Sequence, residues 1–195
     1  MSTASADDLE SIFKEQLGAV SEALSALGAD FMLIGGLAVG VWGEARSTRD
    51  VDMSVRVLAA PDQVRDRLRA SGLEVVAGDI PGAMARGEAV RFERRGRNDD
   101  PVLVDMLFAT TPFEIEALER RTSLRVLGID LPVATPEDLV IFKVIAGRPR
   151  DLEDASALAD LHGSAFDWKR IREWCRQFHV ESRLVGIDPA SRVDR

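Results

Sequence analysis

The chain has no tyrosine, a single cysteine and only two histidines among its 195 residues. With one cysteine, Cys175, an internal disulfide is excluded, so stability has to come from packing, and the cytoplasm is the expected compartment. Cys175 sits in a helical stretch where packing is its expected role. Neither His162 nor His179 has a partner at ligand spacing, so no zinc site is expected. No run approaches the roughly 18 consecutive apolar residues of a membrane-spanning helix. Met1 to Asp8 lacks the basic start and apolar run of a secretory signal, so no membrane partner is expected. Basic charge is also in short supply: the net charge of −8 disfavours tracking along extended duplex DNA, whose ligands are usually basic. Repeats and low-complexity linkers are absent. So are Gly-x-Gly-x-x-Gly and Gly-x-x-x-x-Gly-Lys-Ser/Thr, which argues against a dinucleotide fold or a P-loop.

What is present is a hydrophobic content of 46%, ample for a core, in segments of alternating period. Apolar residues at helical spacing run from Asp7 to Leu27, with Gly28 as the expected C-cap. Strands are predicted at Phe31 to Ile34, Val51 to Val57, Leu73 to Val76, Ala89 to Arg94, Val102 to Leu107, Leu124 to Leu127 and Leu131 to Val133. Helices are predicted at Leu37 to Trp42, Pro61 to Ser71 and Pro112 to Arg121, and the chain then reads as helical to about Arg183. The expectation is one α/β (α+β) domain spanning residues 1–195, with a core over about 29–134 and a helical section over about 135–183. Gly186 to Arg195 reads as a frayed tail.

The stretch from Ile34 to Val55 carries the chemistry. A glycine pair, Gly35-Gly36, follows a short apolar strand and opens a short helix, where free backbone N–H groups meet an anion and the missing Cβ permits close approach. Asp50 and Asp52 lie two apart in the next strand, so they share a face at a Cα separation of roughly 6.5 to 7 Å. That spacing lets both carboxylates serve metals about 3.5–4 Å apart. Taken singly, Gly-Gly is common turn punctuation and Asp-x-Asp is common on exposed strands. Together, inside apolar runs, they are harder to reach by chance, because buried carboxylates demand a cation or hydrogen bonds.

Downstream, Thr135-Pro136-Glu137-Asp138 starts a helix with an N-cap, a first-turn proline and acids. Lys143 is an isolated charge on that mostly apolar helix, the pattern of a side chain that snorkels or points into a cleft. Asp151 reads equally as a capping acid at the next helix start or as a site residue. Arg91, Arg94, Arg95 and Arg97 cluster around one strand and turn, with Arg46 and Arg49 beside the aspartates. Such a group either holds a phosphate or RNA end or forms a solvated hairpin face.

These motifs resemble the DNA polymerase β nucleotidyltransferase superfamily, whose signature is a hydrophobic residue with Gly-Gly or Gly-Ser, a short helix, then Asp-x-Asp. The tighter resemblance is to the small bacterial AbiEii-like toxin nucleotidyltransferases, through Arg46-Ser47-Thr48-Arg49-Asp50-Val51-Asp52. It extends through Lys143, Ala146, Arg148, Arg150, Asp151 and Asp154. The resemblance implies a nucleotidyltransferase-type mixed sheet flanked by helices, with the nucleotide docked against the C-terminal helical section. It implies a third carboxylate on a later strand, for which Asp105 is the candidate. Asp50, Asp52 and Asp105 would be the catalytic and metal residues, with Gly35, Gly36, Arg46, Thr48, Lys143, Arg150, Asp151 and Asp154 on the nucleotide. Two Mg²⁺ ions, or Mn²⁺ in their place, would be the cofactors and an NTP such as ATP the substrate. The NMP would pass to a hydroxyl on a tRNA 3′ end or a protein. A cognate antitoxin or toxin is the implied protein partner, in a toxin–antitoxin or phage-defence setting. The competing expectations are a non-catalytic binding or regulatory protein on the same fold and a small-molecule nucleotidyltransferase of the aminoglycoside type.

Overall fold

The computed structural model describes residues 6–43, 50–95 and 101–191. The chain opens with α1 (Ala6–Ala26), β1 (Asp30–Ile34), α2 (Gly35–Trp42), β2 (Asp50–Arg56), α3 (Pro61–Ala70), β3 (Leu73–Ala77) and α4 (Ile80–Arg86). It continues with β4 (Ala89–Arg95), β5 (Pro101–Phe108), α5 (Pro112–Arg120), β6 (Thr122–Val126) and β7 (Ile129–Val133). Three helices follow, α6 (Pro136–Ala146), α7 (Pro149–His162) and α8 (Trp168–Gln177), with short 3-10 turns between and after them. The strands form one seven-stranded sheet in the order β3-β4-β5-β2-β1-β7-β6. β2 pairs parallel with β5 and β1 parallel with β7, while the other neighbours are antiparallel, so the expected mixed α/β sheet is present.

Alternation sets the two faces of this sheet. In β5, Val102, Val104, Met106 and Phe108 are buried while Leu103, Asp105 and Leu107 are only partly so, the period-two signature of a strand with one dry face. Val51, Met53 and Val55 of β2 continue the dry face. There α1 packs through the buried Leu17, Val20 and Leu24 and touches β1, β5 and β7. The opposite face carries the aspartates. Around it, α2 and α5 touch β1 and β2, and α6 and α7 pack against α2.

The helical section is fastened to α5 by charge. Asp138, fully buried on α6, lies 3.3 Å from Arg120 of α5 and 2.7 Å from Arg170 of α8, whose Nε also reaches Glu116 at 2.6 Å. Phe113 packs against Phe142 and Trp174 across the same seam. This is why α6 tolerates a buried acid: two guanidiniums replace its water.

Two expectations are corrected. The Ile80–Arg86 helix is absent from the sequence reading, because Pro81 and Gly82 resemble a turn. Asp79 nonetheless caps it by accepting from the Gly82 N–H at 2.9 Å, and Gly87 ends it at φ 70°. The tail is not frayed through Ser191. Ile187 and Asp188 are buried, and Asp188 accepts from Arg172 at 2.6 Å and from the Ala190 N–H at 2.9 Å. Among the described residues no helix is long and apolar enough to cross a membrane.

Candidate active site

The strand-to-helix turn is built around Asp52. Gly35 adopts φ +68°, a left-handed conformation that L side chains rarely take, and a Cβ there would overlap the Asp52 carboxylate. Both constraints demand glycine. The backbone N–H of Gly36 donates to Asp52, so the start of α2 is turned onto this carboxylate, where the sequence reading had placed the phosphates. At its far end α2 is pinned by Trp42, whose Nε1 donates to the Ala134 carbonyl at 2.8 Å, and by His162, whose Nε2 lies 2.7 Å from the Trp42 carbonyl.

Register brings the acids together. Asp52 of β2 lies beside Asp105 of β5 in the parallel ladder and beside Ile34 of β1 in the antiparallel one. Asp50 is two residues earlier on the same strand face. Burial, reinforced by the charge of Asp105 and then Asp50, pushes the Asp52 carboxyl up to about 6, against the opposing pull of Lys143 and the Gly36 N–H. A crowded, poorly hydrated carboxylate of this kind is one that a cation stabilises.

Asp105 is held by an arginine. Arg91, directly across the β4–β5 ladder, donates through Nε to Oδ1 at 2.8 Å and through Nη2 to Oδ2 at 2.6 Å. The sequence reading missed this partner. Its only signal was Arg91 standing between the buried Val90 and Phe92 on a hairpin whose other arm carries Asp105. The expected arginine patch is divided by the same alternation. Arg94 faces the other way, donating to Gln16 of α1 at 2.8 Å and to the Ser71 carbonyl at 3.0 Å. The side chain of Arg95 and all of Arg97, Arg46, Thr48 and Arg49 lie outside the described residues.

Lys143 is buried on α6 and lies 3.0 Å from Asp151 and 2.8 Å from Asp154, both on α7. Asp151 also accepts from Arg148. Burial pushes the Asp151 carboxyl up, but the bonds from Arg148 and Lys143 outweigh it and hold the group below its ordinary value. Asp151 is thus a first-turn acid of α7 and a member of the charge cluster at once. Arg150 is exposed on α7 and does not line the cleft.

A cleft of about 300 Å³ runs along this cluster. Its polar lining comes from Gly35, Asp52, Glu114, Lys143, Arg148 and Asp151, and Phe113, Phe142 and Phe178 supply its aromatic lining. The aromatic wall was not anticipated, since its members come from α5, α6 and the end of α8. Cys175 is buried, and burial, with the charge of Glu181, pushes its thiol up to about 12, which makes it a packing residue.

The fold defines the class first. Over 94% of both chains it is similar, at a TM-score of 0.56 and 16% identity, to an antigenic nucleotidyltransferase-like protein from Paracoccidioides brasiliensis. The antibiotic-resistance factor ANT(2'')-Ia matches 86% of this chain and 91% of its own at a TM-score of 0.57 and 11% identity. The lincosamide antibiotic adenylyltransferase LnuA, with lincomycin bound, matches 76% and 96% at a TM-score of 0.52 and 14% identity. No curated protein matches the chain significantly. The family model described as nucleotidyl transferase AbiEii toxin, type IV toxin–antitoxin system, matches residues 19–193. The chain belongs to the AbiEii nucleotidyltransferase family and is a nucleotidyltransferase.

Proposed function

We propose that the chain moves a nucleoside monophosphate from an NTP to an acceptor hydroxyl in the cytoplasm, as the toxin of a toxin–antitoxin pair, with an RNA end or a protein as acceptor. The observation that carries this reading is Asp52 set against Asp105 across neighbouring strands, beside a glycine turn and a cleft holding Lys143. The donor set fits a divalent metal in kind: three carboxylates share one sheet face, and burial and the charge of Asp105 raise the pKa of Asp52 despite the opposing pull of Lys143. Asp50 and Asp52 would hold Mg²⁺ or Mn²⁺, with Asp105 as the third ligand. The metal would supply charge neutralisation at the phosphates and acidify the attacking hydroxyl.

The chain's own groups do the rest. The acceptor oxygen bonds to the α-phosphorus, the bond from that phosphorus to the bridging oxygen breaks, and pyrophosphate leaves with the electron pair. Asp105 would take or orient the hydroxyl proton. The Phe113, Phe142 and Phe178 wall offers a stacking surface and excludes water. Lys143 and Arg148 line the same cleft as cations, which suits the triphosphate. An aminoglycoside-like or lincosamide-like acceptor is the second reading, favoured by a cleft whose wall is aromatic rather than basic.

The test is incubation of pure protein with each labelled NTP, Mg²⁺ and cell extract, with Asp52→Asn alongside. Label entering RNA, protein or a small molecule identifies the acceptor class. Equal labelling by Asp52→Asn would remove these aspartates from the chemistry.

A further inference from the structure

Both carboxylate oxygens of Asp105 are committed to Arg91, and the same Nη2 that donates to Oδ2 lies 3.9 Å from Asp50 Oδ2. The two residues are cross-strand neighbours, so the guanidinium reaches its partner without leaving the sheet face. A parallel fork of this kind fixes the plane of the carboxylate as well as its charge. Among the described residues no three His, Cys, Asp or Glu side chains converge closely enough to hold a metal ion, although Asp50, Asp52 and Asp105 share one face of adjoining strands. The backbone has assembled the three aspartates, and one arginine side chain occupies both oxygens of the third.

We propose that Arg91 is a positioning residue for Asp105, a built-in counter-cation that clamps the third carboxylate until a divalent metal displaces it. This rests on the metal-dependent reading above. Arginine stays charged at every accessible pH, so proton loss cannot open the clamp, and only a competing cation or a movement of the side chain frees Asp105. With 43% of its side chain exposed, Arg91 has room to swing into solvent once released. The clamp spares the acid cluster its mutual repulsion before substrate arrives, and it sets a threshold that the metal must overcome.

The test is Mn²⁺ binding followed by electron paramagnetic resonance, without nucleotide, on wild type, Arg91→Gln and Arg91→Lys, with Asp52→Asn as the control for the metal site. Arg91→Gln removes both fork and charge and is expected to bind Mn²⁺ roughly three- to tenfold more tightly, the span of a partly exposed bidentate pair. Arg91→Lys keeps the charge without the fork and is expected to bind more tightly than wild type by a smaller factor. It also serves as the informative variant should the glutamine protein fail to fold. Unchanged or weaker binding by Arg91→Gln overturns the clamp. So does Arg91→Lys behaving as wild type, because charge alone would then account for the effect. Mn²⁺ binding that Asp52→Asn abolishes but the Arg91 variants leave unchanged retires this inference while leaving the metal site standing. No Mn²⁺ binding by wild type or either Arg91 variant retires both.

Discussion

At the scale of single residues, Asp52 is where function and stability pull apart. Its carboxyl is raised from 3.8 to about 6, so between those values the folded protein holds a proton that the unfolded chain has released. Stability from this group is therefore complete below about pH 4, falls as pH rises, and stays at its low value above about 6. The cost at neutral pH is at most about 3 kcal/mol. Asp52→Asn is expected to raise the melting temperature of the metal-free protein at pH 7.5 by a few degrees while abolishing nucleotidyl transfer. Thermal melts at pH 7.5 and 4 decide this, because the gain should vanish at the lower pH. A mutant less stable than wild type at pH 7.5 would show that Asp52 is held by bonds rather than strained by burial. Gly35→Ala is expected to cost more than about 1 kcal/mol by chemical denaturation, since it adds strain at positive φ and displaces the Asp52 carboxylate. Wild-type stability and transfer in that mutant would show that the turn re-forms without glycine.

At the scale of elements, the α6–α7 pair depends on one lysine. Lys143 pairs with both Asp151 and Asp154, all three buried, and removing it takes a buried ion pair from each carboxylate, leaving Asp151 to Arg148. Lys143→Met is expected to destabilise the protein by about 3–5 kcal/mol in denaturant titrations. Lys143→Met with Asp151→Asn and Asp154→Asn should recover much of that loss without recovering NTP binding. Recovery of binding in the triple mutant would make the lysine a structural strut alone. Most elements were legible in the sequence because their causes are local. Val102 to Phe108 alternates, Thr135-Pro136 caps α6, and Gly35-Gly36 breaks the chain between strand and helix. What escaped depends on distant partners. The segment around Asp188 is ordered by Arg172 of α8, and the Ile80–Arg86 helix survives its proline and glycine because Ile80 and Ala83 are buried. The Arg91–Asp105 clamp and the division of the arginine patch both follow from ladder register, which residue types do not encode. Asp50 and Asp52 stood out as candidates because paired acids within apolar strands have few structural uses, whereas Asp105 was sought only because the resembled superfamily has a third carboxylate.

At the scale of the whole molecule, the sheet core and the helical section meet along one seam, and the cleft with its lysine, aspartates and aromatic wall lies in that seam. Among the described residues, the surface around it is not that of a protein that grips long nucleic acid. The chain carries −8 overall, and among the arginines near the site Arg91 is spent on Asp105, Arg148 on Asp151 and Arg94 on α1. If the acceptor is an RNA end, few phosphates beyond the reacting nucleotide can be neutralised. Each phosphate contact contributes about 0.7 to the slope of log affinity against log salt for a single strand. With one or two contacts, raising KCl from 50 to 200 mM should weaken binding of a tRNA by less than about tenfold, where an extended basic tract would lose about a thousandfold. Filter binding across that salt range on the Asp52→Asn protein, expected to be catalytically silent, measures the slope without turnover. A steep slope would mean that a basic track exists outside the described residues and that recognition reaches well along the RNA. A shallow slope with tight binding would confine recognition to the terminus held in the cleft, where the aromatic wall rather than charge does the selecting.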